Sequence, residues 1–499
     1  MLSFSSARAR LKLGATKAKT ARQLRDATMF DLDPLYRLLP VPLQNMAVSA
    51  YGGWVSRRRY GRGYEEILSA VLERQRWSQE EVRELQRQRL HELVRHCYEK
   101  VPWYRDILRS RGLTPHDFRE PSDLRKLPVL RKDQVRKSGR EFFSEDVGKR
   151  RHIHSHTSGT TGAGMQFSID LAAHQEQWAV WWRYRISHGI NLGTWCAYFG
   201  GRTFVPVSQQ KPPFWRINLP ARQVLYSMYH ISRETVSSYV NNLRKRSLPW
   251  IHGYPSTLAL LARHVVDAGV PLKFAWATVG AENLFPWQKR LIETAFGCRC
   301  YQHYGSAEAV ANFSECSAGN LHADEDFCVV ELIPTGVPGQ FSIVGTCLAN
   351  YVMPFIRYDT GDVCSAPLDE CPCGIAGLVV SRIDGRAEDY VLLSNGRTLG
   401  RLDHIFKDAV NVREAQIVQT TPGKVTLRVV PADTWTSRDG EALVNEFKKR
   451  TGPYLGVDIE YRKELERAAS GKLRFVVSEC EGGKLDALRV ELCERRDVN

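Results

Sequence analysis

The 499 residues are 43% hydrophobic and 25% charged and carry a formal net charge of +15, a composition that fits a water-soluble globular protein large enough for more than one domain. No apolar run approaches the roughly 20 residues that span a bilayer, and the first residues lack the apolar core and small-residue cleavage site of a secretory signal, so a cytoplasmic protein is expected. The twelve cysteines then read as reduced thiols or metal ligands rather than as a disulfide framework.

Residues 1–34 form a basic tail. Arg8, Arg10, Lys12, Lys17, Lys19, Arg22 and Arg25 precede the first acid, Asp26, and Arg57-Arg58-Arg59 follows. Such an excess suits either a solvated tail or peripheral contact with an anionic membrane face. No zinc-finger spacing or aromatic RNA-binding signature accompanies it, so no specific nucleic-acid partner is expected.

Ile67, Leu68, Val71 and Leu72 keep helical spacing. Ser78 can cap a second helix that carries Val82, Leu85, Leu90, Leu93 and Val94 on one face. Pro102 and Pro128 punctuate the connectors after it. Thr157-Ser158-Gly159-Thr160-Thr161-Gly162 reads as a phosphate-holding loop, in which glycines let backbone N–H groups converge on an anion and hydroxyls add donors. A strand from Met165 to Ile169 follows. Trp178, Trp181 and Trp182 sit on a predicted helix, either as core or as the wall of an acyl pocket.

From about 150 to 360, strand-like runs alternate with helices. Trp250 to Tyr254 precedes a helix through Leu258, Leu261 and Val265, and Ala275 to Val279 comes next. That alternation predicts an α/β fold with a mostly parallel sheet. Residues 327–345 alternate with a period near two, predicting antiparallel strands. Tyr301-Gln302-His303-Tyr304-Gly305-Ser306-Ala307-Glu308 offers an aromatic face for a purine and a carboxylate for magnesium; a buried tyrosine and a surface glutamate would be the plain alternative. His303 reads as a packing residue rather than a general base. Arg357 to Asp362 ends in a carboxylate that could accept ribose hydroxyls or make an Asx turn. Beyond Ile383-Asp384-Gly385 the pattern changes to short strands with one helix from about Ser437 to Arg450, a compact α+β unit ending near Ser470-Gly471-Lys472.

These motifs, in this order, resemble the adenylate-forming superfamily of acyl-CoA synthetases, and within it the phenylacetate–CoA ligase family, in particular its capsular-polysaccharide (CapK-type) branch. The resemblance covers about residues 35 to 480. It includes Val101-Pro102-Trp103-Tyr104-Arg105, Leu127 to Lys132, Gly253-Tyr254-Pro255-Ser256 and Met353 to Tyr358. It implies a large N-terminal ATP- and acyl-binding domain over 35–383 and a small mobile α+β lid over 384–499. It also implies that Thr157 to Gly162 hold the nucleotide phosphates and that Gly280, Ala281 and Glu282, with Tyr304, Gly305 and Ser306, line the adenine pocket. Glu308 would ligate Mg2+, Asp362 and Arg386 would lie at the ribose, Glu388 would be the hinge, and Lys472 would act in catalysis. The implied reaction is ATP-dependent activation of a carboxylic acid, then transfer to CoA, another thiol, an amine or a sugar. Adenylyl transfer to an acceptor and a non-catalytic membrane-surface scaffold are the alternatives. The chain departs from the family pattern at Ala163-Gly164-Met165, at Ser306-Ala307 and at Glu388, where aspartate is usual.

Cys316, His322, Cys371 and Cys373 complete the candidates. Three thiols and an imidazole make a tetrahedral Zn2+ set, structural because no coordination position is left open. Buried thiols in a cysteine-rich stretch with Cys328, Cys347 and Cys364 are the alternative. Cys298 and Cys300 are a weaker pair, since alternate strand residues face opposite ways.

Overall fold

The computed structural model describes residues 33–157, 165–206, 208–335, 338–384, 391–395, 398–399, 402, 411–432, 435–465 and 476–480. The basic stretch 1–32, the loop residues Ser158 to Gly162, and Arg386, Glu388 and Lys472 lie outside them.

The chain enters through helices α1 (Asp33–Leu38), α2 (Val41–Arg59), α3 (Tyr64–Arg74), α4 (Gln79–Lys100) and α5 (Pro102–Ser110). The expected cap at Ser78 is a full capping box. The Ser78 hydroxyl accepts from Glu81 N at 3.3 Å and the Glu81 carboxylate accepts from Ser78 N at 2.7 Å, so two otherwise orphaned donors are answered reciprocally. The buried stripe of α4 is Gln86, Leu90, Leu93, Val94 and Cys97; Val82 and Leu85 lie at its half-buried margin.

After α6 (Lys132–Lys137) comes a hairpin of β1 (His152–Thr157) and β2 (Met165–Asp170), then α7 (Leu171–Ser187), whose N-terminus the Asp170 carboxylate caps. The central sheet is built from β3 (Cys196–Phe199), β4 (Trp215–Asn218), β5 (Gln223–Tyr226), β6 (Trp250–Gly253), β7 (Trp276–Gly280), β8 (Cys300–Gly305), β9 (Asn312–Glu315), β10 (Leu321–Ala323) and a later strand. Helices α8 (Val236–Arg246), α9 (Pro255–Asp267) and α10 (Pro286–Phe296) connect its middle. Proline at the start of α9 and α10 removes a donor that would have no partner there.

The order across this nine-stranded sheet is β14-β10-β9-β8-β7-β6-β3-β5-β4, with β14 (Val379–Val380) at one edge. Only its centre, from β5 through β3, β6 and β7 to β8, is parallel. Both flanks are antiparallel, which corrects the expectation of a mostly parallel sheet. The links between β4 and β5, β8 and β9, and β9 and β10 are too short for the crossover a parallel pair requires.

The period-two pattern divides the two faces. Ala277 and Val279 of β7 belong to a core with Leu258, Leu261, Leu291 and Ile292 of α9 and α10. Trp250 of β6 joins the opposite core, with Ala179, Val180 and Trp182 of α7 and the α3–α5 helices. Arg183, on α7, makes a buried ion network with Asp326 at 2.8 Å and Asp324 at 3.0 Å, tying the helix to the turn after β10.

A second sheet, β11 (Cys328–Pro334), β12 (Gln340–Cys347), β13 (Tyr358–Ser365) and β15 (Ile383–Asp384), is antiparallel as its alternation predicted. Farther on, β16 (Val391–Leu392) pairs with β17 (Thr398–Leu399). A last sheet has the order β20-β19-β18-β21, from β18 (Val412–Thr421), β19 (Lys424–Pro431), β20 (Gly456–Tyr461) and β21 (Val476–Ser478), packed with α11 (Ser437–Thr451). Its core takes in Met228 and Tyr229 from the larger part of the chain. Gln210 Nε2 also donates to Tyr454 Oη at 2.7 Å, and Arg136 Nη2 to Val412 O at 3.2 Å.

Candidate active site

Parallel strands leave their C-terminal ends on one edge of the sheet, where an α/β protein keeps its crevice. Here β7 ends at Gly280 and β8 at Gly305. A Cβ on Gly280 would stand 2.8 Å from His303 Cε1, and one on Gly305 would stand 2.9 Å from the Trp181 ring, so both positions need glycine to let the neighbouring side chain close in. Ala281 has φ +66°. Glu282 Oε2 accepts from Ser256 N at 3.0 Å, holding the tip of β7 against the first turn of α9.

Tyr304 Oη donates to Asp362 Oδ2 at 2.8 Å. This bond joins two motifs that are 58 residues apart and lie in different sheets. The Ser306 hydroxyl accepts from Val310 N at 3.0 Å and Ala311 N at 3.2 Å, while Gln177 Nε2 donates to Ser306 O at 3.1 Å; Ser306 thus shapes the turn that carries Glu308. The Glu308 carboxyl is 8% exposed and accepts from Tyr358 Oη at 3.1 Å. Burial pushes its pKa up, opposed by the Lys132 ammonium. Tyr358 Oη also lies 3.9 Å from Met165 Sδ, and Met165 pairs with Thr157 at the mouth of the β1–β2 hairpin. The hairpin mouth from which the glycine-rich loop leaves is therefore beside Glu308.

The described candidates Thr157, Gly280, Ala281, Glu282, Tyr304, Gly305, Ser306, Glu308 and Asp362 are carried on the tips of β7 and β8, the hairpin and β13. Tyr358 was missed by sequence reasoning. It lies inside the recognised Arg357 to Asp362 motif, but only the packing of β13 against the turn after β8 gives it a role.

On the His303 side of β8, α7 covers the sheet. His303 lies among Trp181, Tyr184 and His252, with ring centroids 5.6, 5.3 and 6.4 Å away. Burial, then the Arg185 charge, brings its pKa down to about 3, so it is a neutral wall residue, as expected. Arg59 and Arg185 approach this wall from α2 and α7. Sequence reasoning missed both, although the run Trp181-Trp182-Arg183-Tyr184-Arg185 places two charges in an apolar helix.

About one strand beyond, the ligating atoms of Cys316, His322, Cys371 and Cys373 all lie within 4.8 Å of one another. Cys316 Sγ is 3.7 Å from Cys371 Sγ, and Cys373 Sγ is 3.3 Å from His322 Nε2. Burial works against the Cys371 thiolate, but hydrogen bonds, first from Asn320, outweigh it and bring the thiol down to about 6. The donor set fits a soft, tetrahedral divalent ion. Cys298 and Cys300 do not join it, and the described cysteines are all free. Among the described residues no helix is long and apolar enough to cross a membrane.

These contacts join the segments whose sequence resembles an adenylate-forming ligase. Sequence comparison agrees. The chain is 38% identical over 337 residues to the phenylacetate–coenzyme A ligase of Aromatoleum evansii, covering 63% of this chain and 73% of that one. It is 25% identical over 460 residues to Protein CapK of Staphylococcus aureus, covering 90% and 99%. Residues 394–479 match the family model CapK C-terminal domain. A crystal structure of 2-hydroxyisobutyryl-CoA ligase with 2-HIB-AMP and CoA aligns at 19% identity and a TM-score of 0.49, covering 88% of this chain and 94% of that one. The chain belongs to the phenylacetate–coenzyme A ligase family of adenylate-forming enzymes.

Proposed function

We propose that this chain activates a carboxylic acid with ATP and passes the acyl group to a thiol, coenzyme A being the first choice, in cell-surface polysaccharide biosynthesis. In the first half-reaction a carboxylate oxygen attacks the α-phosphorus of ATP, and pyrophosphate leaves as the P–O bond to it breaks. In the second, the thiolate attacks the acyl carbonyl and AMP leaves. Both reactants of the first step are anions, so charge must be neutralised and the groups aligned before they meet.

The observation that carries this reading is the Tyr304–Asp362 hydrogen bond beside the buried Glu308, because it gathers the purine, ribose and metal motifs at one crevice. Tyr304 offers its ring face to the adenine while Asp362, held by the phenol, accepts from the ribose hydroxyls. Gly280, Ala281 and Glu282 border the base, and Thr157 to Gly162 wrap the phosphates. Glu308 fits Mg2+, being a buried carboxylate that accepts from the neutral Tyr358 hydroxyl at 3.1 Å; such an ion, when bound, neutralises phosphate charge. Residues 384–499 are the lid, Glu388 its hinge and Arg386 its ribose contact. Lys472 supplies an ammonium to the reacting carboxylate and phosphate.

Lys472→Ala is expected to slow ATP–pyrophosphate exchange by roughly 10²–10³-fold, the usual effect of losing a charged transition-state contact. An unchanged rate removes Lys472 from the mechanism. The Cys316, His322, Cys371 and Cys373 set is proposed to hold one structural Zn2+ per chain. Elemental analysis of the purified protein measures it directly, and Cys373→Ser should lower both zinc content and melting temperature. Absence of zinc from the folded wild type refutes that site.

A further inference from the structure

The wall on the His303 side of β8 carries two cations, Arg59 and Arg185, and neither makes an ion pair among the described residues. Arg59 Cζ lies 3.8 Å and Arg185 Cζ 5.8 Å from the centroid of the Trp178 ring, so one indole carries both guanidinium groups. Arg185 is 6% exposed and also lies 5.0 Å from the Trp182 ring and 5.4 Å from Trp250. Its Nε has no hydrogen-bond partner among the described residues. Burial lowers the Arg59 pKa most, and the cations Arg202 and Arg185 lower it further.

Stacking on tryptophan partly offsets the desolvation of a guanidinium, but it leaves the N–H donors unanswered, and an orphaned donor on a buried cation is costly. Other donors in the same neighbourhood are also orphaned: Trp178 Nε1 and Trp181 Nε1 have no acceptor among the described residues. Trp181 Nε1 lies 3.0 Å from where a Cβ on Gly305 would stand, directly behind Tyr304. Several unanswered donors, with excess positive charge, ask for a group that only accepts. Nearby histidines do not relieve the excess, since burial and then Arg59 bring His174 down to about 3, leaving it neutral.

From this cluster we propose that the acid activated here bears a second anionic group, carboxylate, sulfate or phosphate in kind, which Arg59 and Arg185 receive while the first carboxylate faces the nucleotide. The inference rests on the adenylation reading and names the substrate class of that same site.

The test pairs acids of like shape in ATP–pyrophosphate exchange: phenylacetate against 4-carboxyphenylacetate and 4-sulfophenylacetate, and propionate against succinate. The dianions should exceed their neutral-tailed partners by roughly 10⁴-fold in kcat/KM, the scale on which a site built to hydrogen-bond a substrate group rejects the analogue lacking it. Arg185→Met, and independently Arg59→Met at the half-buried rim, should remove that advantage and leave exchange with the neutral-tailed acids within a few-fold. Thermal melting gives a readout without turnover. Mg-ATP should raise the melting temperature of wild type and both variants, whereas 4-sulfophenylacetate or succinate should raise that of wild type only. Equal use of both members of each pair, or no dianion effect in exchange or melting while Mg-ATP still binds, overturns the proposal. Failure of Mg-ATP to bind or to exchange with any acid overturns the adenylation reading beneath it.

Discussion

Arg183 and Arg185 stand two residues apart on α7, and both are buried. Arg183 meets Asp326 at 2.8 Å and Asp324 at 3.0 Å, and its Nη1 also donates to Val71 O at 3.2 Å. Arg185 meets indole faces, and its Nε has no acceptor among the described residues. Identical chemistry on one helix therefore serves two ends. A charge answered within the chain anchors the fold, and a charge left unanswered beside a crevice is reserved for something that arrives.

The largest expected effect breaks the anchored member. Arg183→Met takes the nearest cation from two buried carboxylates, leaving Asp326 with Arg74 at 3.5 Å and Asp324 with the Ser314 hydroxyl, and should destabilise the protein by about 3 kcal/mol in guanidinium denaturation. Arg185→Met strands no acid and should stay within about 1 kcal/mol of wild type or gain stability; equal losses at the two positions would erase the distinction.

A smaller effect lies in the acid limb. His303 titrates near 3 when folded, through burial and then Arg185, and near its ordinary value of about 6.5 when unfolded. The unfolded chain then binds more protons between those values, so the stability this neutral imidazole contributes is intact above pH 6.5 and is lost as pH falls. Without the Arg185 charge the folded pKa rises toward the unfolded one. Arg185→Met should make stability fall less steeply as pH approaches the folded value, from about pH 4.5 to 3, by less than about 1.4 kcal/mol per pH unit. Denaturation midpoints across that range measure it, and parallel slopes would show that Arg185 does not reach His303.

What the sequence made legible was local. The Ser78 box, the period-two run of β11 and β12, and the motif from Tyr301 to Glu308 each announce themselves within a few residues, because caps, pleats and tight turns are short-range physics. The antiparallel flanks of the central sheet were not legible from alternation, although short links between strands carried the hint. Tyr358 beneath Glu308 and Arg59 beside Arg185 could not be read at all. Each pairing depends on elements distant in sequence meeting across the core, and no period or spacing records that. The four zinc candidates sit between these cases: the Cys-Pro-Cys knuckle is visible locally, while its approach to Cys316 and His322 comes from the pairing of β10 with β9 and β14.

Met228 and Tyr229 are each 7% exposed and share an interior with Val412, Leu427 and Phe447 of the C-terminal sheet and helix. A swing of that unit would have to peel open a greasy seam before any new face could turn toward the crevice. Because apolar burial near room temperature is driven by solvent entropy and weakens on cooling, the latch loosens in the cold and tightens with warmth.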